Sequence, residues 1–351
     1  MLPATAWSFP FPFPSAHVRE TAPSLTASGF NPRLANPYVQ QWNLTVERVL
    51  AGAGLRASYV ATKSTNLIYR RDVNQRVIAG NNLSRPYANL GFGATIDYMD
   101  NGGSHIYHAL QVKADRRLPH GPMILGGYVW ANNISDVIDG LDQDYFGVGS
   151  DARSRRNDRG RVGYGRQHNL TAMMIWSLPF GRSQRFLRRP GWLRRVAGGW
   201  QLYPQFLASS GAWFTPRRQD ANPFTGIIDE TARADRVGDG NDGPRLAGSP
   251  LKKWINVNAF AQPAANLPGN AGRNILEGPG SWSMHLSLTK SVRLKERKEL
   301  LLTISGSNIL NHTNWQAPSG TAELTVGQAA FGSISTSGAA RAVILRSRIM
   351  F

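Results

Sequence analysis

Ser281-Trp-Ser-Met-His-Leu-Ser-Leu-Thr-Lys-Ser-Val-Arg-Leu294 sets Trp282, Met284, Leu286, Leu288 and Val292 on alternate positions, with Ser281, Ser283, His285, Ser287, Thr289, Ser291 and Arg293 between them. Successive side chains of a strand point to opposite sides, so period two over this length predicts a strand with one apolar and one polar face. The next segment repeats the pattern: Leu300, Leu302, Ile304 and Gly306 oppose Glu299, Thr303, Ser305 and Ser307, with Leu301 as a local break.

Less regular alternation marks Tyr38–Leu50, Leu55–Ser64, Ser104–Leu118, Pro122–Ile134, Asn169–Leu178, Trp200–Phe214 and Arg341–Phe351, which makes about nine strands. Most run for about 10 to 15 residues. Ordinary globular strands average about five or six, whereas a strand crossing a bilayer needs roughly 9 to 11. The links between them alternate in size. Short ones follow Leu50, Leu118 and Arg293; long ones cover Thr65–Gly103, Ser135–Gly165, Thr215–Gly280 and Asn311–Ala340. Short periplasmic turns and long extracellular loops are the pattern of outer-membrane barrels. The fold class predicted is all-β, an antiparallel transmembrane β-barrel with about 9 to 10 long strands in this chain. The link Pro179–Gly199 is the exception, a long connection on the periplasmic side.

With short links periplasmic, the last strand runs down to the periplasmic rim, where Phe351 fits an aromatic girdle and reads as a C-terminal barrel signal. Nine is an odd number, which an even-stranded barrel does not accept, so at least one further strand is expected. Tyr87–Tyr98 is read as part of an extracellular hairpin extension. Residues 1–35 are expected to form a Pro-rich extended lead-in or the remnant of a preceding loop, and residues 36–351 the barrel portion.

Composition narrows the function. The chain carries 40 Lys and Arg against 22 Asp and Glu, a formal charge of +18, and no cysteine. The last point removes disulfides, thiolate zinc sites and a cysteine nucleophile. The charge invites a nucleic-acid reading, but its carriers sit largely in links and loops, and no zinc-finger, helix-turn-helix or RRM pattern accompanies them. No apolar run reaches the roughly 18 to 20 residues of a spanning helix. Met1–Pro14 has no basic start and four prolines, so it does not read as a secretory signal.

No residue constellation recommends catalysis. HExxH and GxSxG are absent; Ser209, Ser210 and Ser335 lack the second spacing, and His168 and His312 read as rim hydrogen-bonding groups. Asp229, Glu230, Asp235, Asp239 and Asp242 lie among glycines without calcium-loop spacing, and Gly269–Gly280 lacks a phosphate-cradle pattern. No metal or cofactor is expected.

Binding surfaces are the better candidates. Ser283, His285, Ser287, Thr289, Arg293, Glu299, Thr303 and Ser305 are expected to line the lumen, where they tune selectivity or simply solvate a wide pore. Between Arg159 and Gln219 stand eleven arginines and no carboxylate. Arg182, Arg185, Arg188, Arg189, Arg194 and Arg195 crowd the periplasmic link, as an anion-binding patch for a phosphorylated partner or lipid headgroups, or as a solvated basic turn. Arg153, Arg155, Arg156, Arg159 and Arg161 lie in an extracellular loop and face lipopolysaccharide phosphates or water.

Ordered strings then become recognisable. Asn36-Pro-Tyr-Val-Gln-Gln-Trp-Asn-Leu44, Ser58-Tyr-Val60, Asp72-Val-Asn-Gln75, Tyr107-His-Ala-Leu-Gln-Val-Lys113, Tyr128-Val-Trp130 and Arg166-Gln-His-Asn-Leu170 come first. Leu178-Pro-Phe-Gly181, Gly199-Trp-Gln201, Ser210-Gly211, Gly269-Asn-Ala-Gly-Arg-Asn-Ile-Leu-Glu-Gly-Pro-Gly280 and Asn308-Ile-Leu-Asn-His-Thr-Asn314 follow. Together, over about 31–351, they resemble the barrel of Oar-like TonB-dependent receptors. The resemblance implies a bacterial outer-membrane protein that imports a solute with energy relayed by TonB, in contact with outer-membrane lipid and lipopolysaccharide. It also implies a preceding regulatory-like domain and plug, and a 22-stranded barrel of about twice this length, so the chain reads as the C-terminal portion of such a receptor. The alternative is a soluble, all-β basic module that binds acidic polysaccharide or nucleic acid.

Overall fold

The computed structural model describes residues 25, 27–79, 82–119, 121–137, 149–181, 184–229, 231–245, 252–294 and 298–351. Nine long strands form one sheet: β1 (Tyr38–Leu50), β2 (Ala53–Asp72), β3 (Ile96–Arg117), β4 (Met123–Ser135), β5 (His168–Ser177), β6 (Trp200–Ser209), β7 (Ser281–Arg293), β8 (Glu299–Ser307) and β9 (Ala342–Met350). Each pairs antiparallel with its neighbour in sequence, so the wall is a plain up-and-down meander. All nine expected strands are present. Among the described residues β1 and β9 are the two ends of the order and do not pair with each other. A short strand, Ala27–Phe30 in the expected lead-in, adds parallel to Ile96–Met99 of β3.

The register gives the sheet two unlike faces. Directly opposed residues share a face, and Ser287 opposes both Tyr203 and Ser305, while Leu288 opposes Leu202 and Ile304. Carried across the wall, one face bears Thr45, Ser58, Gln111, Asn169, Gln205 and Thr303, and the other Leu44, Leu110, Trp130, Leu170, Phe206 and Leu302. The second face is apolar yet uncovered: Leu345 is 75% and Leu44 68% exposed. Leaving such a surface bare in water would cost about 25 cal/mol per Å², so its solvent is the hydrocarbon of the membrane. Tyr38, Trp42, Trp130 and Trp282 stand toward its long-loop end and Trp176 and Trp200 toward its short-turn end, as two aromatic girdles.

Two strand limits differ from the sequence reading. The stretch 65–103, read as one long loop, is at its two ends, 65–72 and 96–103, a continuation of β2 and β3 beyond the membrane wall. Register shifts between Ser64 and Ile68 hide its period, and cross-strand ion pairs Arg70 to Asp97 (3.3 Å) and Arg71 to Asp100 (3.0 Å) take the place of apolar alternation. The 87–98 part is a short 3-10 turn, Ala88–Leu90, followed by the start of β3 at Ile96. The sixth strand also ends earlier than expected, at Ser209. Trp213–Phe214 then leaves the wall to pair with Leu276–Glu277.

The only buried hydrophobic cluster among the described residues lies outside the wall. Phe214, Ile255, Phe260, Leu276, Leu324 and Phe331 pack together from the loops after β6 and β8. These long loops are therefore a folded cap with a core of its own, seated on the extracellular end of the sheet.

Candidate solute-facing surface and loop cap

All eight residues expected to line the lumen fall on the polar face. The pairs Ser287 with Ser305, Thr289 with Thr303 and Arg293 with Glu299 stand directly opposite each other, and Ser283 and His285 continue the row. Hydroxyls bridge the strands, Ser287 to Ser305 at 2.9 Å and Thr289 to Thr303 at 3.1 Å, while Ser283 meets His285 Nε2 at 3.0 Å. Ser291, also on this face, donates to the Glu299 carboxylate. The row is uncharged and well hydrogen-bonded through its middle, with its ionic groups at the short-turn end.

The cap is held by polar pins, several of which, Asp72, Gln75, Arg273 and Asn274, lie in the strings that carry the family resemblance. Asp72, fully buried, accepts from the amides of Asn74 and Ile96 at 2.9 Å and from Arg85 at 3.0 Å. Gln75 reaches the next loop, donating to the Ser150 carbonyl and accepting from the Ala152 amide at 2.6 Å. Asn222 donates to that same Ser150 carbonyl at 3.2 Å. Within 269–280, Arg273 donates to the carbonyls of Val137 (2.9 Å) and Asp158 (3.3 Å), and Asn274 to that of Arg161 (2.7 Å). Three separate loops thereby become one body. The close approach explains glycine at two places: a Cβ on Gly211 would overlap the Gly278 carbonyl, and one on Gly160 the Arg273 carbonyl.

At the centre of this network Asp158 and Arg233 form an ion pair of 2.7 Å, 1% and 4% exposed. Burial pushes the Asp158 carboxyl up from its usual range, and Arg233, the Ser150 amide (2.9 Å) and Arg273 work against that shift. Glu323 is held the other way. Burial alone would raise it, but hydrogen bonds from Ser335 and from the amides of Gly320 and Ser319 (each 3.1 Å) outweigh burial and lower it.

Beneath the cap a cleft of about 740 Å³ opens on the polar face. Thr171, Ser209 and Ser283 form its floor, and Trp213, Trp315 and Arg166 its upper wall. Asn314 is fixed there by accepting from the Trp282 amide at 2.8 Å. Arg161 lies over the Trp213 ring at 4.2 Å and Lys252 over Trp315 at 3.7 Å. Neither of these two cations lines the cleft itself; the lining offers the two rings and the Arg166 guanidinium to a polar, partly planar or anionic solute. Of the lining residues, sequence reading singled out Ser283 as a lumen candidate and Ser209 only to reject it as a nucleophile, while Trp282 entered through the strand pattern and Arg166 and Asn314 through the family-like strings. The others sit in apparently irregular loops, and the one available signal was two tryptophans in segments otherwise rich in turn residues.

The extracellular arginines are mostly engaged inside the cap. Arg153 pairs with Asp151 (2.9 Å), Arg155 with Asp136 (3.4 Å) while covering Tyr69, and Arg161 stacks on Trp213. The guanidiniums of Arg156 and Arg159 have no ion-pair or hydrogen-bond partner among the described residues. The second basic group, Arg185, Arg188, Arg189, Arg194 and Arg195, stays together at the short-turn end. Arg182 and Glu230 lie outside the described residues. His168 accepts or donates at Nδ1 to the Tyr128 hydroxyl (2.7 Å) and His312 stacks on Trp282 (4.1 Å). Asp229, Asp235 and Asp239 each take a backbone amide of their own loops. Phe351 is 90% exposed at the short-turn rim, beside the Lys298 ammonium (5.4 Å).

Solved structures similar to this one include outer-membrane proteins. The outer membrane transporter YddB from Escherichia coli superposes with a TM-score of 0.51 at 10% identity, over 91% of this chain and 33% of that one. BauA, the ferric preacinetobactin receptor from Acinetobacter baumannii, gives 0.43 at 10% identity, over 89% and 29%. The chain thus spans about a third of the YddB chain, and the resemblance to TonB-dependent receptor barrels holds at the level of fold. A comparison with curated proteins returns no match. A family model described as an outer membrane beta barrel domain matches residues 2–348. The apolar girdled face, the turn asymmetry and this match agree in placing the protein in the bacterial outer membrane, and the chain belongs to the outer membrane β-barrel domain family.

Proposed function

We propose that the protein is a TonB-dependent-receptor-like barrel of the Oar-like type that binds a solute at the cleft under the loop cap and passes it along the polar face. The single observation that carries this is the cleft itself, a large concave site whose floor is the polar face and whose wall is aromatic and basic. Binding and permeation need no bond chemistry. The row from Ser283 to Arg293, with Glu299, Thr303 and Ser305, lines the path and sets its selectivity. Arg156 and Arg159 face lipopolysaccharide phosphates. Coupling to TonB requires a plug, contributed by further sequence or by another chain.

The test has two steps. Outer-membrane fractions should retain the protein through carbonate extraction; recovery as a soluble monomer without detergent would overturn the reading in favour of a soluble basic module. Proteoliposomes of the protein should then swell in raffinose, and Trp213→Ala with Trp315→Ala should change the rate. Liposomes as tight as protein-free controls would refute permeation.

A further inference from the structure

The link between β5 and β6 faces the membrane. It contains the helix α1 (Trp192–Ala197), whose apolar side chains are uncovered: Trp192 is 72%, Val196 60% and Leu193 50% exposed. Phe186, just before it, is also exposed. In water this would be an unexplained apolar patch on a six-residue helix. Its attachment explains it. Lys290 donates to the carbonyls of Arg195 (2.7 Å), Val196 (2.6 Å) and Gly198 (3.2 Å), and Trp200 Nε1 donates to Val196 at 2.8 Å. Lys290 and Trp200 oppose each other in the register and share a face with Leu286, Leu288 and Leu202. That face is the lipid-facing one. The end of α1 is therefore pinned to the outside of the wall, not to its lumen, at the short-turn rim.

The charge complements this position. Arg185, Arg188, Arg189 and Arg195 are exposed around the apolar side chains, and no carboxylate stands anywhere between Arg159 and Gln219. Apolar and aromatic side chains beside a group of arginines, joined to a surface already in hydrocarbon, make up an interfacial anchor. We infer that the link is a docking site for anionic phospholipid headgroups of the periplasmic leaflet. Trp192, Leu193 and Val196 enter the acyl boundary, and the arginines take the phosphates. A phosphorylated soluble partner would account for the arginines but not for apolar groups continuous with the lipid-facing sheet. The inference needs the barrel to lie in the membrane and does not depend on transport.

The full chain in nanodiscs tests it, with phosphatidylcholine as the host and lipids brominated near the carbonyl end as quenchers. The difference in emission between the unaltered chain and Trp192→Phe isolates Trp192. That difference should be quenched, and more strongly by brominated phosphatidylglycerol than by brominated phosphatidylcholine at equal mole fraction. Replacing Arg188, Arg189, Arg194 and Arg195 by glutamine should lower the preference for phosphatidylglycerol by at least about tenfold and by up to about six-hundredfold, since each arginine near an anionic surface contributes up to about fivefold. Trp192 emission indifferent to brominated lipid would overturn the inference, placing the link in water or on a soluble partner. Equal quenching of the Trp192 difference signal by the two lipids would overturn the headgroup assignment whether or not the arginine variant folds.

Discussion

Removing the guanidinium of Arg233 should open the cap while leaving the wall intact. Asp158 is almost completely buried, and Arg233 is its partner at 2.7 Å. Replacing Arg233 by methionine keeps much of the stem and its packing but leaves a buried carboxylate uncompensated. Breaking one half of such a pair costs about 3 to 5 kcal/mol. The Ser150 amide and Arg273 remain, which favours the lower end. Where loop opening is fast relative to cleavage, about 3 kcal/mol raises the open population, and proteolysis with it, by about a hundredfold. The assay is limited proteinase K digestion of the protein in outer-membrane vesicles. Cleavage should fall in 149–161 and 213–280, and the wall should keep its heat-modifiable gel mobility. Asp158→Asn in the same chain removes the orphaned charge and should return most of the protection. Unchanged digestion of Arg233→Met would refute the claim that this pair holds the loops together. A double variant as labile as the two single losses added would refute the electrostatic reason for it.

Three further outcomes follow from the same geometry. Leu286→Arg, on the lipid-facing side, should lose about 2 to 4 kcal/mol of barrel stability, whereas Ser287→Arg, one residue on, should fold in the membrane with a changed conductance; heat-modifiability against temperature reads the first, planar-bilayer recording the second. Gly211→Val should separate the 209–214 and 276–281 segments, because its Cβ meets the Gly278 carbonyl, and hydrogen exchange at Gly278, whose amide donates to the Ala212 carbonyl at 2.8 Å, should rise by an order of magnitude or more. The Glu323 carboxyl, held below its usual value of 4.5, contributes stability that is complete above that value and lost as pH falls through the lowered one. Protection across 314–336, taken relative to the intrinsic exchange rate at each pH, should therefore fall in acid, and Glu323→Gln should remove the share of that fall owed to Glu323. Asp158 acts in the opposite sense, since its raised carboxyl favours the folded cap when protonated, so loosening should begin around Glu323.

Reading the sequence succeeded where a single physical rule governs many residues and failed where packing is local. In the wall every strand meets the same two solvents, so Leu286, Leu288 and Ile304 alternate with Ser287, Thr289 and Ser305, and the period survives with no knowledge of neighbours. In the cap no residue repeats its surroundings. Gln75, Arg273 and Asn274 look like ordinary loop polars, yet they are buried because backbone groups of other loops, brought near only by the fold, satisfy them. The cleft was illegible for the same reason: Trp213 and Trp315 lie about a hundred residues apart and line one cleft only after the fold brings their segments together near Gly211 and Gly278. One signal was available. Solvated loops do not need Phe214, Ile255, Phe260 and Phe331, and apolar residues without a period in a long connection report a core that the loop builds for itself. The arrangement has a functional consequence. The wall is stabilised by lipid and strand pairing and the cap by its own core and ion pairs, so the cap is able to open over the cleft, giving up local ties such as Trp282 to Asn314, while the strand-to-strand hydrogen bonds of the wall stay intact. A membrane barrel that must admit a solute and stay sealed at its lipid face needs that division of stability.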